Sequence, residues 1–154
     1  MAIKDECMKP GTKALRKGRT SIPNQIYHLI ATTKDRRPVF KDFQLARSAV
    51  YAINNQPAST LAYVVMPDHI HWLLQMGQNA NDLGKLMQSV KTSISRKHYI
   101  RFGHGKIWQQ GFYDHAIRGE EVIEDVARYI IYNPVRAGLV KTVREYSHWD
   151  AMWV

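Results

Sequence analysis

Apolar and polar positions along this chain follow two periods, and the switches between them mark out its elements. "NQIYHLIATTK" is rich in β-branched and aromatic residues and predicts a strand over 25–34. In "KDFQLARSAVYAIN", Phe43, Leu45, Ala46, Val50 and Ile53 fall close to helical spacing and predict a helix over 41–54. "STLAYVVM" predicts a strand over 59–66. "PDHIHWLLQM" turns at Pro67-Asp68 and returns as a strand over 69–76. Leu83, Leu86, Met87, Val90, Ile94 and His98 recur every three to four residues, predicting a long helix over 81–101 that Lys85, Lys91, Arg96 and Lys97 decorate. "GHGKIWQQG" reads as a loop and "FYDHAIR", 112–118, as a further strand. "GEEVIEDVARYIIYN" predicts a helix over 120–133 ended by Pro134, and the aromatic tail "VREYSHWDAMWV" is expected to pack back on the body.

The order strand, helix, strand, strand, helix, strand, with a helix following, is the split β-α-β pattern of ferredoxin-like α+β folds. It predicts a four-stranded antiparallel sheet with two helices on one face. The other face is left for a ligand or for the additional C-terminal helix.

A chain of 154 residues points to a single domain, here 23–154. Residues 1–22, with Lys4, Lys9, Lys13, Arg16, Lys17 and Arg19 around Pro10 and Gly11, read as a flexible basic arm. The net charge of +9 points to a polyanionic partner, nucleic acid being the commonest. Cys7 is the only cysteine, so an intrachain disulfide is excluded and an intracellular, cytoplasmic location is expected. No apolar run reaches the length of a membrane span, and no membrane partner is expected.

Candidate chemistry begins at His69 and His71, an alternating pair inside an apolar strand. Strand alternation points both to one face, while Ile70 and Trp72 point to the face of the two core helices. Two neutral imidazoles side by side can converge on one divalent cation. The alternative is two polar residues on a half-exposed strand, and a metal site needs a third ligand from elsewhere in the chain. On the last predicted helix, Val122, Val126, Tyr129 and Asn133 share one stripe. Tyr129 offers a nucleophilic hydroxyl and Asn133 a carboxamide oxygen one turn later. Simple packing of Tyr129, and capping by Asn133 before Pro134, are the alternatives. Taken together, a basic chain, a histidine pair and a tyrosine–amide pair suit phosphoryl transfer on DNA. A metal would act as Lewis acid and a tyrosine as nucleophile.

These residues resemble the single-tyrosine HUH transposases. "HIH" at 69–71 is similar to the His-hydrophobic-His motif of that family, and Tyr129 with Asn133 is similar to its tyrosine helix. "VVMPDHIHWLL", "WQQGFYDHAIR" and "YIIYNPVRAGLV" resemble the REP-associated branch, which processes repetitive extragenic palindromes in bacteria. The likeness runs from Tyr27 to Val140. The resemblance implies Mg²⁺ or Mn²⁺, and single-stranded or hairpin DNA as substrate. It also implies cleavage and rejoining through a 5′-phosphotyrosine link. Residue by residue, His69 and His71 become metal ligands, Tyr129 the nucleophile and Asn133 the third metal-directed group. Insertion-sequence members of the family usually carry Gln at the place of Asn133, one methylene longer. Monomer and homodimer, with the tyrosine acting in cis or in trans, both stay open.

Further DNA-contacting candidates are Arg118 and Arg136 flanking the last helix, Lys91, and the aromatics Trp108, Phe112 and Tyr113 as base-stacking groups. Core or loop packing is the alternative for each aromatic, and a solvated surface for the arginines. His28, His98, His104 and His148 have no partner at ligand spacing and are assigned no chemistry. Two rival functions stay open. A non-catalytic nucleic-acid-binding module has no use for the histidines and Tyr129 together. A phosphodiesterase using water needs the histidines but not the tyrosine.

Overall fold

The computed structural model describes residues 21–78, 82–119 and 121–154. The basic arm expected at 1–22 lies outside these residues except for its last two, and those are tied to the body. The Ser21 hydroxyl accepts a hydrogen bond from the Leu83 amide at 3.0 Å, and the Ile22 amide donates to the Tyr27 hydroxyl at 3.0 Å.

Strand β1 (Ile26–Thr32) leads through two single turns of 3-10 helix into α1 (Phe43–Asn54). Next come β2 (Ser59–Val65), β3 (His69–Gln75), α2 (Leu83–Phe102), β4 (Tyr113–Ala116), α3 (Ile123–Ile131), the short α4 (Asn133–Arg136) and β5 (Trp149–Ala151). The caps follow from the sequence. Asp42 accepts from the Leu45 amide at 2.9 Å at the head of α1, and Asp82 accepts from the Gly84 amide at 2.7 Å at the head of α2. Gly103, at φ 82°, closes α2 in a conformation that a side chain would disfavour.

All strand pairs are antiparallel, in the order β4-β1-β3-β2-β5. The sheet therefore has five strands rather than the expected four. The fifth comes from the aromatic tail: Trp149–Ala151 pairs with β2 from Ala62 to Val64. Two further anchors hold the tail there. Tyr146 donates to the Val65 carbonyl at 2.5 Å, and the Trp149 indole donates to the Val143 carbonyl at 2.9 Å. Both edge strands are short, which limits the row of unpaired backbone groups a sheet edge presents.

Period-two alternation splits the strands into two cores. Leu29, Ala31, Ile70, Trp72 and Leu74 face α1 and α2, packing on Leu45, Ile53, Met87 and Ile94. Val64 and Leu73 face the opposite way, where α3 covers them with Val126, Ala127 and Ile130. That second face is thus not an open platform, since α3 lies over β2, β3 and β5. The last helix also departs from expectation. Pro134 does not end it but sits in the first turn of α4, where a missing amide proton costs least. Tyr132, with helical backbone angles, joins the two segments, so the chain keeps an almost helical path from Ile123 to Arg136. None of the described helices is long and apolar enough to cross a membrane.

Candidate active site on the second sheet face

His71 is 1% exposed on β3, on the same face as Val64 and Leu73. His69 stands two residues before it, half-buried, with its ring 4.9 Å from that of His71. The predicted shared face is therefore present, with Ile70 and Trp72 on the other side. Each imidazole is oriented by a partner. His69 Nδ1 lies 2.7 Å from the Asp68 carboxylate, so Nδ1 carries the proton in this contact and the carboxylate fixes the ring. Asp68 is itself held by Arg36 at 3.4 Å, and both neighbours keep its carboxyl below the usual range, the His69 hydrogen bond most of all.

Asn133 brings the end of the last helical stretch onto the histidine strand. Its carboxamide lies 2.7 Å from His71 Nε2, and the residue is 7% exposed. On the other side, His71 Nδ1 is 2.9 Å from His28 Nε2, and the two rings stack with centroids 5.1 Å apart. A consistent proton arrangement follows. The Asn133 amide donates to Nε2 of His71, whose Nδ1–H donates to His28. Burial, aided by the charges of His28, His69 and Arg136, pushes the His71 pKa well below its ordinary value. Burial also lowers His28 to about 4. Both rings are therefore neutral near pH 7, the state in which imidazole binds metal.

Among the described residues no group of three or more His, Cys, Asp or Glu side chains converges as a metal site. The residues that could hold a divalent cation are the histidine pair and the Asn133 amide. An octahedral cation with bonds of 2.0–2.1 Å has neighbouring ligands about 2.9 Å apart. The 2.7 Å separation of Asn133 from His71 Nε2 is close to such an edge. With its oxygen turned toward Nε2, the amide would accept from the other His71 tautomer or share a bound cation with that nitrogen.

Tyr129 is half-buried on α3, one turn before Asn133. Arg136 lies over its ring at 3.9 Å and donates to its backbone carbonyl at 2.6 Å. This guanidinium is therefore committed to the tyrosine turn. Val122, the first residue of the predicted stripe, is 57% exposed and takes no part.

The remaining candidates separate clearly. Tyr113 is paired beside β1 on the histidine face, edge-on to His28 with centroids 6.4 Å apart. Arg118 is exposed, and its backbone amide donates to Glu121 at 3.4 Å. Trp108 is a core residue: it is 7% exposed, packs on Phe40 at 5.8 Å and donates to the Lys91 carbonyl at 3.2 Å. Phe112 is likewise buried at 6%. The Lys91 ammonium clamps the loop before β4, donating to the carbonyls of Gln109 and Gly111 at 3.1 and 2.5 Å, rather than standing out toward a phosphate. Trp108 and Phe112 thus pack in the interior, and the half-buried Lys91 is bound to loop carbonyls.

Sequence reasoning missed His28, which it had set aside for want of a partner. The signal was there: β1 pairs with β3, and alternation puts His28 diagonally opposite His71. His115 and Asp114 alternate on β4, so only one of them can share the histidine face; it is His115, which lies beside His28 and pairs with Glu121 at 2.9 Å.

A family model described as "Transposase IS200 like" matches residues 21–133. An Escherichia coli REP-associated tyrosine transposase is 29% identical over 105 residues, 68% of this chain and 61% of that protein. A Haemophilus influenzae protein assigned to the same class is 30% identical over 102 residues, 60% of this chain and 58% of that one. The chain thus spans less than two thirds of the length of these curated relatives. Among solved structures, a REP-associated tyrosine transposase bound to a REP hairpin superposes with a TM-score of 0.70 at 25% identity, covering 85% of this chain and 79% of that one.

Proposed function

The chain belongs to the IS200-like transposase family, and from that premise we propose that it cleaves and rejoins single-stranded DNA through a covalent link to Tyr129. The observation that carries this reading is the 2.7 Å contact between Asn133 and His71, which seats the tyrosine-bearing helical stretch on the histidine strand. A basic chain of net charge +9 suits a polyanionic substrate. The hairpin-bound structural neighbour supports REP-like hairpins as the substrate class.

In this reading His69, His71 and Asn133 hold a Mg²⁺ or Mn²⁺ ion. When bound, that ion supplies Lewis-acid polarisation of the scissile phosphate. Asp68 and His28 keep the two imidazoles turned toward it. Arg136 holds the Tyr129 ring and carbonyl, fixing the direction of the phenol. The Tyr129 oxygen attacks phosphorus and gives its proton to water, and the bond to the 3′ oxygen breaks as that oxygen takes up a proton from water. A free 3′-hydroxyl remains, with the 5′-phosphate carried on the tyrosine. Attack by a 3′-hydroxyl on that phosphotyrosine reverses the step, so rejoining needs no external energy source.

The test is incubation of the purified chain with end-labelled hairpin oligonucleotides bearing single-stranded flanks. A labelled protein band surviving SDS is expected in Mg²⁺ or Mn²⁺. It should vanish in EDTA and in Tyr129→Phe. Cleavage by Tyr129→Phe at the wild-type rate would instead establish a water-using phosphodiesterase. Binding without cleavage under every condition would establish a non-catalytic module.

A further inference from the structure

On the far side of the sheet from His71, α1 and α2 lie side by side and enclose a surface groove of about 960 Å³. Phe43, Arg47 and Tyr51 follow one another at four-residue spacing along the α1 wall. Lys85, Arg96 and Lys97 line the α2 wall. Phe43 is 61% exposed although its ring touches that of His148 at 5.2 Å, and Tyr51 is 71% exposed. Neither helix contains a single Asp or Glu. The nearby carboxylate at the head of α1, Asp42, is already engaged by Arg101 at 2.7 Å.

Two exposed aromatic rings one turn either side of an arginine, facing a row of cations, form a stacking platform beside an electropositive track. Burial in the core does not account for these rings, since α1 already packs on the sheet through Leu45, Ala46, Ala49 and Ile53. A second copy of the chain fits poorly. A two-fold contact through this groove would set cations against cations with no carboxylate from either helix to offset them. We propose that the α1/α2 groove is a second binding surface for an unpaired nucleic-acid strand, separate from the histidine centre. Phe43 and Tyr51 stack on bases, and Arg47, Lys85, Arg96 and Lys97 hold the phosphates. The proposal does not depend on cleavage at Tyr129: a strand held here lies on the opposite face of the sheet from that site.

The test uses the full chain in EDTA, with fluorescein-labelled oligo(dT), which forms no hairpin, and fluorescence anisotropy against salt. Phe43→Ala with Tyr51→Ala should weaken binding about thirtyfold or more. Arg96→Ala with Lys97→Ala should weaken it and flatten the salt dependence by about 1.4 in log–log slope. Oligonucleotides carrying 5-iododeoxyuridine, irradiated with the wild type, should cross-link to Phe43 or Tyr51. Unchanged affinity in both double variants, or cross-links confined to the histidine face, would overturn the proposal. So would a wild type that dimerises while the variants do not, or loss of binding to anionic vesicles with oligo(dT) affinity intact. An absent covalent adduct would overturn the cleavage reading alone and leave these measurements standing.

Discussion

Acid should weaken this fold before its carboxylates begin to protonate, through His28. The ring is 5% exposed, stacked on His71, and burial lowers its pKa from 6.5 to about 4. Between those values the unfolded chain binds a proton at position 28 that the folded chain refuses. Stability therefore falls as pH falls through this window. The full displacement is worth about 3 kcal/mol, of which about 2.4 kcal/mol should be lost between pH 7 and pH 4.5. His71 and His148, both lowered mainly by burial, act in the same direction. Asp42 and Asp68 have lowered pKa values, so they stay ionised in the folded state across this range and lose their stabilising effect only below it. Urea unfolding at pH 7, 6, 5 and 4.5 in EDTA measures the slope. His28→Gln keeps an acceptor for His71 Nδ1–H but cannot titrate, so its stability should fall less steeply, by about 2 kcal/mol over the same range. A flat wild-type profile, or identical slopes for wild type and variant, would refute the buried neutral histidine.

Other consequences concern the cation site and the helix that completes it. Removing the carboxylate that orients His69, by Asp68→Asn, should lower Mn²⁺ affinity by about 10–100-fold with the fold intact, measured by calorimetric titration. Asn133→Ala should weaken Mn²⁺ binding, whereas Asn133→Asp, which presents an oxygen in either orientation, should retain it; equal affinity in all three proteins would remove Asn133 from the site. Ile130 is fully buried between α3 and the sheet, so Ile130→Ala should cost about 2–5 kcal/mol in urea unfolding and Ile130→Val about 0.5–1.5 kcal/mol.

Much of this arrangement was legible in the chain because local pattern and tertiary role agree. His69 and His71 share a face since β3 alternates without a bulge, and Trp72 is buried on the other side for the same reason. What escaped reading has physical causes. Trp149–Ala151 is too short to show a period, and only the free edge of β2 makes it a strand. Pro134 reads as a helix terminator, yet after a one-residue break it opens a new turn, and that turn is what carries Asn133 to His71. The role of His28 depends on which strand neighbours which, information that its own flanking residues do not hold. Trp108 and Lys91 sit in or against a glycine-rich loop that looks exposed in sequence but folds under the sheet end, where the indole is buried and the ammonium is needed by backbone carbonyls. An aromatic and a cation near a loop are indistinguishable from a DNA-contacting pair until that loop is placed.

Whether Tyr129 is the nucleophile of a centre completed by His69, His71 and Asn133 is decided by mapping the protein–DNA adduct. Wild-type chain incubated with a hairpin oligonucleotide and Mn²⁺ would be digested with trypsin and nuclease, and the nucleotide-bearing peptide sequenced by mass spectrometry. A single nucleotidyl group on Tyr129 is expected, retained in Tyr113→Phe and Tyr132→Phe and absent from Tyr129→Phe. A nucleotide on Tyr113 or Tyr132, or cleaved DNA with no modified peptide, would contradict this assignment.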